Sequence, residues 1–237
     1  MANYLLAGLV VDIQNRYPYL EKQCHPFRCG DDRIPDISLQ VTETELEAEL
    51  QKLDHRFSPG YVESICIYRK LCLQMLGFGG MFLHCSVIRV ADHGIAFLAP
   101  SGTGKTTHTT LWQQLLGDAM DVINGDKPIV RFTTGQPEAF GTPWAGKEDL
   151  YTMGSVILTD LCFLERAEEN SCTHLTPEEA LHPIVHQLIL PTDACGAEET
   201  LTLLDQLLRS CRLWKIRCNM DPDAAKVAYN TIIKTDL

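Results

Sequence analysis

Ala99-Pro-Ser-Gly-Thr-Gly-Lys-Thr-Thr107 sits at the centre of a longer stretch, Met81 to Asp126, around which the rest of the chain is organised. Against the phosphate-loop (Walker A) pattern G-x-x-x-x-G-K-[ST], Gly104, Lys105 and Thr106 match, and Ala99 replaces the first glycine. The physical content survives that change. Gly102 and Gly104 let the backbone curl so that its N–H groups converge into an anion-binding nest. A helix starting directly afterwards adds unpaired donors and the positive end of its dipole. Lys105 supplies a point charge for β- and γ-phosphates, and Thr106 a hydroxyl for Mg²⁺.

The flanks make the pattern credible. Gly94 to Ala99 is a short apolar run with the character of a buried strand. From Thr107 to Leu116, Leu111, Leu115 and Leu116 recur at helical spacing, and Gly117 closes the helix. Strand, glycine-rich turn and helix are the context the motif requires; the competing reading is an ordinary glycine turn with a chance lysine.

At 237 residues the chain is long enough for one full core, or for one domain with a small appendage. A formal charge of −11 argues against nucleic acid or an anionic membrane as the main partner. No stretch approaches the roughly 20 apolar residues that span a bilayer, and Met1-Ala-Asn-Tyr lacks the basic start of a leader. Ten cysteines contain no C-x-x-C pair, which disfavours a zinc knuckle and suits reduced, mostly buried thiols in a cytoplasmic protein.

Taken in order, Tyr4 to Ile13 reads as a strand, Gln14 to Asp36 as mixed strands and loops, and Ile37 to Val41 as another strand. Thr42 and Glu45 form a capping box opening a helix to about Leu53. Ser58-Pro59 opens a second helix ending at Gly77. Met81 to Val90 reads as one strong strand, followed by a hairpin turn at Ala91 to Gly94. A boundary near Gly80 then separates an N-terminal strand–helix appendage, 1–80, from a nucleotide-binding core with C-terminal helices, 81–237. Met120 to Asn124 is a short strand, with Lys127 to Phe132 as the second arm of its hairpin. Val156 to Glu165 is an apolar strand. Helices follow at Thr176 to Leu190 and Ala197 to Cys211, then a strand at Leu213 to Cys218 and a last helix to Ile233. The fold class expected is α/β, a phosphate-loop core on a mixed β-sheet.

Phosphoryl transfer needs a metal, and the metal needs a carboxylate near the loop hydroxyl. Asp126, just past the strand that follows the phosphate-loop helix, is the candidate; a turn-forming acid is the plainer alternative. Gly141-Thr-Pro-Trp-Ala-Gly-Lys-Glu148 is a second loop to note, with Trp144 able to cover a ring or simply pack, and Lys147 able to neutralise phosphate. His84 lies one hairpin arm before the loop. His108 follows it, facing either solvent or the nucleotide. His182 and His186 are four apart on a helix but lack the accompanying glutamate of H-E-x-x-H, so a solvated face is the better reading.

Ser101 to Thr107 resembles the phosphate loop of ATP-dependent phosphoenolpyruvate carboxykinase. The order of His84, hairpin, loop, helix and Asp126 is similar to that of bacterial HPr kinase/phosphorylase and of small HPr-kinase-like proteins, over roughly Met81 to Arg166. The resemblance implies a carboxykinase/HPr-kinase-like fold and an ATP- and Mg²⁺-dependent phosphotransferase acting on a hydroxyl, such as a serine of a small protein or peptide. By position it makes Ser101, Gly102, Thr103, Gly104, Lys105, Thr106, Thr107 and Lys147 nucleotide-binding. Thr106 and Asp126 would hold metal, and Asp126, His84 and Lys105 would be catalytic. It also implies a homo-oligomer; the charge and the lack of a long apolar run argue against nucleic acid and membrane as partners. One departure stands out: the family's second aspartate is Lys127 here. A nucleotide-binding regulatory module, or a nucleoside triphosphatase without acceptor, is therefore the alternative.

Overall fold

Residues 2–30 and 33–234 are described by the computed structural model of the chain. The stretch expected as one strand from Tyr4 is a hairpin: β1 (Ala2–Leu6) and β2 (Leu9–Gln14) run antiparallel, Leu6 opposite Leu9. Ala7 and Gly8 make the turn, both at positive φ. The turn is hidden in the sequence because both arms are apolar and β2 is buried along most of its length. The mixed segment after it contains a helix, α1 (Pro18–Cys24), running into a single 3₁₀ turn at His25–Phe27. Pro18 in its first turn costs no hydrogen bond, and Leu20 and Cys24 bury its inner face. Part of that segment, residues 31–32, lies outside the described residues. β3 (Ile37–Gln40) then pairs parallel to β2.

Helix α2 (Glu43–Lys52) begins with the capping box read from the sequence: Thr42 Oγ1 accepts from Glu45 N at 3.3 Å, and Glu45 accepts from Thr42 N at 2.8 Å. Such a cap stabilises a helix by about 1 kcal/mol. α3 (Pro59–Met75) buries Val62, Ile67, Leu71 and Met75. These N-terminal elements share one apolar core with Phe82, Ile129 and Trp144 from further along the chain.

Met81 to Val90 is two strands rather than one. β4 (Gly80–Phe82) and β5 (Cys85–Val90) are separated by Leu83 and His84. A mostly apolar run conceals the break, because both pieces are largely buried. β6 (His93–Leu98) returns from β5 through a two-residue turn at Ala91-Asp92. α4 (Lys105–Leu116) and β7 (Met120–Asn124) follow. β8 (Ile129–Phe132) does not form a hairpin with β7; it pairs with β4 and with β9 (Pro137–Phe140). β10 (Ser155–Arg166) is the longest strand of the sheet. β11 (Ser171–His174), α5 (Pro177–Val185), α6 (Ala194–Ser210), β12 (Arg212–Cys218) and α7 (Asp223–Ile232) complete the described chain. α5 stops five residues short of the expected Leu190.

The fold is therefore mixed α/β. A nine-stranded sheet runs β4-β8-β9-β10-β6-β5-β7, with β12 and then β11 added beside β10. Through Ser155 to Ile157, β10 pairs antiparallel with β9; through Leu158 to Phe163 it pairs parallel with β6, and beyond Asp160 with β12. One strand thus joins two sub-sheets. Leu203, Leu204, Leu207 and Leu208 of α6 pack on one face with α5. Trp112 of α4 and the alanines of α7 cover the other. Each fully buried leucine side chain contributes on the order of 2 kcal/mol, so the stripes on α6 and α4 fix which way those helices face.

Candidate functional site

Strand register gathers the site. β5 runs antiparallel to both β6 and β7, with Cys85 opposite Leu98 and Val87 opposite Asn124. The start of β5 therefore lies at the same sheet edge as the ends of β6 and β7. His84 precedes β5, Ala99 follows β6 and Asp126 follows β7, so residues far apart in sequence meet there. His84 Nε2 and Asp126 Oδ1 are 3.0 Å apart.

The loop from Ala99 turns as the glycines require. Gly102 and Gly104 have φ of 79° and 129°, and a Cβ at either would meet nothing within 4 Å. The need for glycine is thus conformational rather than spatial. Thr103 N donates to Pro100 O at 3.2 Å. Arg166, at the end of β10, donates to the carbonyls of Gly102 and Thr103. With those carbonyls held outward and α4 beginning at Lys105, the first-turn N–H groups of the helix have no intrahelical partner. Ser86 Oγ and Thr109 Oγ1, 2.9 Å apart and buried, tie α4 to β5.

Lys105 is 8% exposed, and its Nζ donates to Ala99 O at 2.8 Å. Burial lowers its pKa, and the Asp126 charge opposes that shift. Ser101, Thr106 and Thr107 are exposed, and Thr103 is half-buried. His108 is neither at solvent nor at the loop mouth. It is 2% exposed, edge-on to Phe97, and its Nε2 accepts from Trp112 Nε1 at 3.1 Å. Burial pushes its pKa down to about 4.

Asp126 is held by an asparagine turn. Asn124 Oδ1 accepts from Asp126 N at 2.9 Å and Lys127 N at 2.7 Å, while its Nδ2 donates to Thr142 O at 3.0 Å. The second singled-out loop is thereby brought against Asp126. Gly146, at φ 84°, approaches so closely that a Cβ there would lie 3.1 Å from Asp126 Cβ. Trp144 is packed rather than open, against Tyr68 and donating to Ser64 Oγ at 2.9 Å. Lys147, next in the chain after Gly146, is exposed.

Burial alone would raise the Asp126 carboxyl. Hydrogen bonds from His84 and Lys127, together with the Lys127 charge, bring it down to about 2. Being ionised, it can only accept, so the proton of this hydrogen bond belongs to His84 Nε2. Lys127 Nζ bonds the other oxygen, Asp126 Oδ2. A hydroxyl at Thr106 and a carboxylate at Asp126 are hard oxygen donors suited to Mg²⁺. Among the described residues no group of three or more His, Cys, Asp or Glu could hold a metal.

A cavity of about 540 Å³ opens beside the loop. Its lining includes His84 and Ser101, the strand-end residues Leu98 and Phe163, and His186 and Gln187 after α5. The backbone links the two sides: His84 N donates to Gln187 O at 2.8 Å. His182 and His186, ring centroids 4.9 Å apart, are exposed at its rim. Gln187 is 4% exposed, yet its Oε1 has no hydrogen-bond partner in the protein. Arg166 and Gln187 carried no sequence signal. They reach the loop only through the pairing of β10 with β6 and the placement of α5.

Among the described residues no helix is long and apolar enough to cross a membrane. No family model matches the sequence, and no curated protein matches it. Among solved structures it is similar to the Hpr(Ser) kinase/phosphatase from Coxiella burnetii, at 11% identity over 66% of this chain and 99% of that one, with a TM-score of 0.38. A likeness of that size carries no argument about shared chemistry.

Proposed function

We propose that the chain is a nucleoside-triphosphate-dependent phosphotransferase of the HPr-kinase-like kind, with ATP and Mg²⁺ as cofactors and a hydroxyl as acceptor. The observation that carries this reading is the convergence of the Ala99–Thr107 loop, buried Lys105 and the His84–Asp126 pair at one sheet edge. Loop N–H groups, the α4 N-terminus and Lys105 bind the β- and γ-phosphates; Arg166 is within the same rim. Mg²⁺, held through Thr106 and Asp126, supplies charge neutralisation on those phosphates.

The proton acceptor in this reading is His84 rather than Asp126. A carboxyl with a pKa of about 2 is a weak base at neutral pH. Asp126 instead orients the imidazole and stabilises its cation, as the carboxylate does in a nucleophile–histidine–carboxylate triad. The acceptor oxygen bonds to the γ-phosphorus as the bond to the bridging oxygen of the leaving diphosphate breaks. The acceptor's proton passes to His84 Nδ1.

A second reading, nucleotide binding without turnover, is favoured by one observation: Lys127 already occupies an Asp126 oxygen. A thermal-shift titration with ATP/Mg²⁺, paired with separate assays of ADP and free phosphate, tests both. Stabilisation lost in Lys105→Ala supports either reading, at about 2.7 kcal/mol for ligand at a hundred times its Kd. ADP formed without matching free phosphate supports transfer. A chain that no nucleoside triphosphate stabilises sinks both.

A further inference from the structure

We propose that the cavity between the Ala99–Thr107 loop and the end of α5 seats a small-molecule phosphoryl acceptor. The acceptor would carry one hydroxyl turned to His84 and a second hydrogen-bond donor, a hydroxyl or an amine, for Gln187. The proposal rests on the phosphotransferase reading and names its acceptor class. The volume, about 540 Å³, lies in the range of roughly 300–1,000 Å³ typical of small-molecule sites.

Its walls are two kinds. Leu98, Phe163, Leu164 and Pro183 present carbon surface for a ligand skeleton. His84 and Gln187 supply polar groups to the same lining, with His182 and His186 at the rim. A buried acceptor without a partner is an expensive feature in a protein that has satisfied nearly all its other buried polar atoms. A ligand donor at Gln187 Oε1 removes that cost. The two residues are neighbours, because the main-chain carbonyl of Gln187 accepts from the main-chain N–H of His84. A ligand held at Gln187 therefore lies beside His84, with the loop residues Ala99 and Ser101 in the same lining. On transfer, the ligand oxygen gains the phosphoryl group, its proton goes to His84, and the nucleoside diphosphate leaves.

Ligand-observed saturation-transfer NMR on the full chain, without nucleotide, tests this with L-serine, ethanolamine, myo-inositol, D-glucose and a serine-containing hexapeptide as probes. The amino alcohols and the polyols separate the two sources of the second donor. At least one small probe is expected to bind. Its affinity should fall about tenfold in Gln187→Leu, the loss of one buried hydrogen bond. Gln187→Glu, which retains an acceptor oxygen, should restore it. The proposal is overturned if no small probe binds, if Gln187→Leu binds as the wild type does, or if only the hexapeptide binds. Probe binding in a chain that ignores ATP would overturn the transfer reading while upholding the ligand assignment.

Discussion

Asp160 and Asp126 serve opposite ends of the β6 region and have opposite surroundings. Asp160, within β10, is fully buried. It accepts from Arg212 Nε at 2.8 Å, Arg212 Nη2 at 3.0 Å, Trp214 Nε1 at 2.7 Å and Thr159 Oγ1 at 2.7 Å, with His93 Nδ1 at 3.4 Å. Asp126 is partly open, and its partners His84 and Lys127 are themselves partly exposed. Every donor around Asp160 comes from a strand or its immediate flank, so the network knits β6, β10 and β12 together. The donors around Asp126 come from a strand break and a turn. A carboxylate surrounded by fixed donors holds structure; one left a path to solvent beside a cavity is placed to act.

Substituting each acid in turn should separate the two roles. Asp160→Ala removes the buried carboxylate to which Arg212, Trp214 and Thr159 donate and should cost about 3–5 kcal/mol in chemical denaturation. Asp126→Asn should cost clearly less stability than Asp160→Ala and slow phosphoryl transfer at least about a hundredfold. Wild-type transfer by Asp126→Asn would break the contrast.

A pH titration of stability sharpens it further. The folded Asp126 pKa of about 2 lies below the ordinary carboxylate value of 3.8. The stabilisation it gives is thus complete above about pH 4 and disappears as pH falls towards 2. Lys127→Ala removes one of the causes of that depression, so the variant should lose less stability than the wild type across this window. The smallest effect expected is on metal. With Lys127 gone, Asp126 Oδ2 is released, and the Mg²⁺ concentration for half-maximal turnover should fall about threefold to tenfold. An unchanged or raised Mg²⁺ requirement in Lys127→Ala would show that the ammonium does not compete.

The parts of this site that the sequence made legible are those written in a local run of chain. The glycines, Lys105 and Thr106 are one such run. Asp126 could be placed because a single helix and a short strand separate it from them. His84 was legible by its closeness to β6, though not the break that frees it from regular pairing. Leu83 and Cys85 are as apolar as the strands on either side. The Ala7–Gly8 turn was hidden for the same reason. His108 was read as facing outward or towards ligand, and the deciding fact was the packing of Phe97 and Trp112, which no spacing records. Gln187 reaches the loop from about eighty positions away, through an end of α5 that stops earlier than its periodicity suggests. Pairings of that reach depend on which strands become neighbours, and periodicity within each strand says nothing about that choice.

The shared strand β10 also bears on the order in which the chain can acquire its shape. Among the described residues it is the neighbour that covers the open side of β6 and the only link from β6 to the β4-β8-β9 ribbon along the sheet. During synthesis from the N-terminus, β5, β6, α4 and β7 emerge long before Ser155. Until β10 arrives, β6 presents a row of unsatisfied backbone groups to any passing strand. A ribosome pause between Lys147 and Ser155 would therefore hold the nascent chain in its most aggregation-prone form, and chaperone capture should peak there.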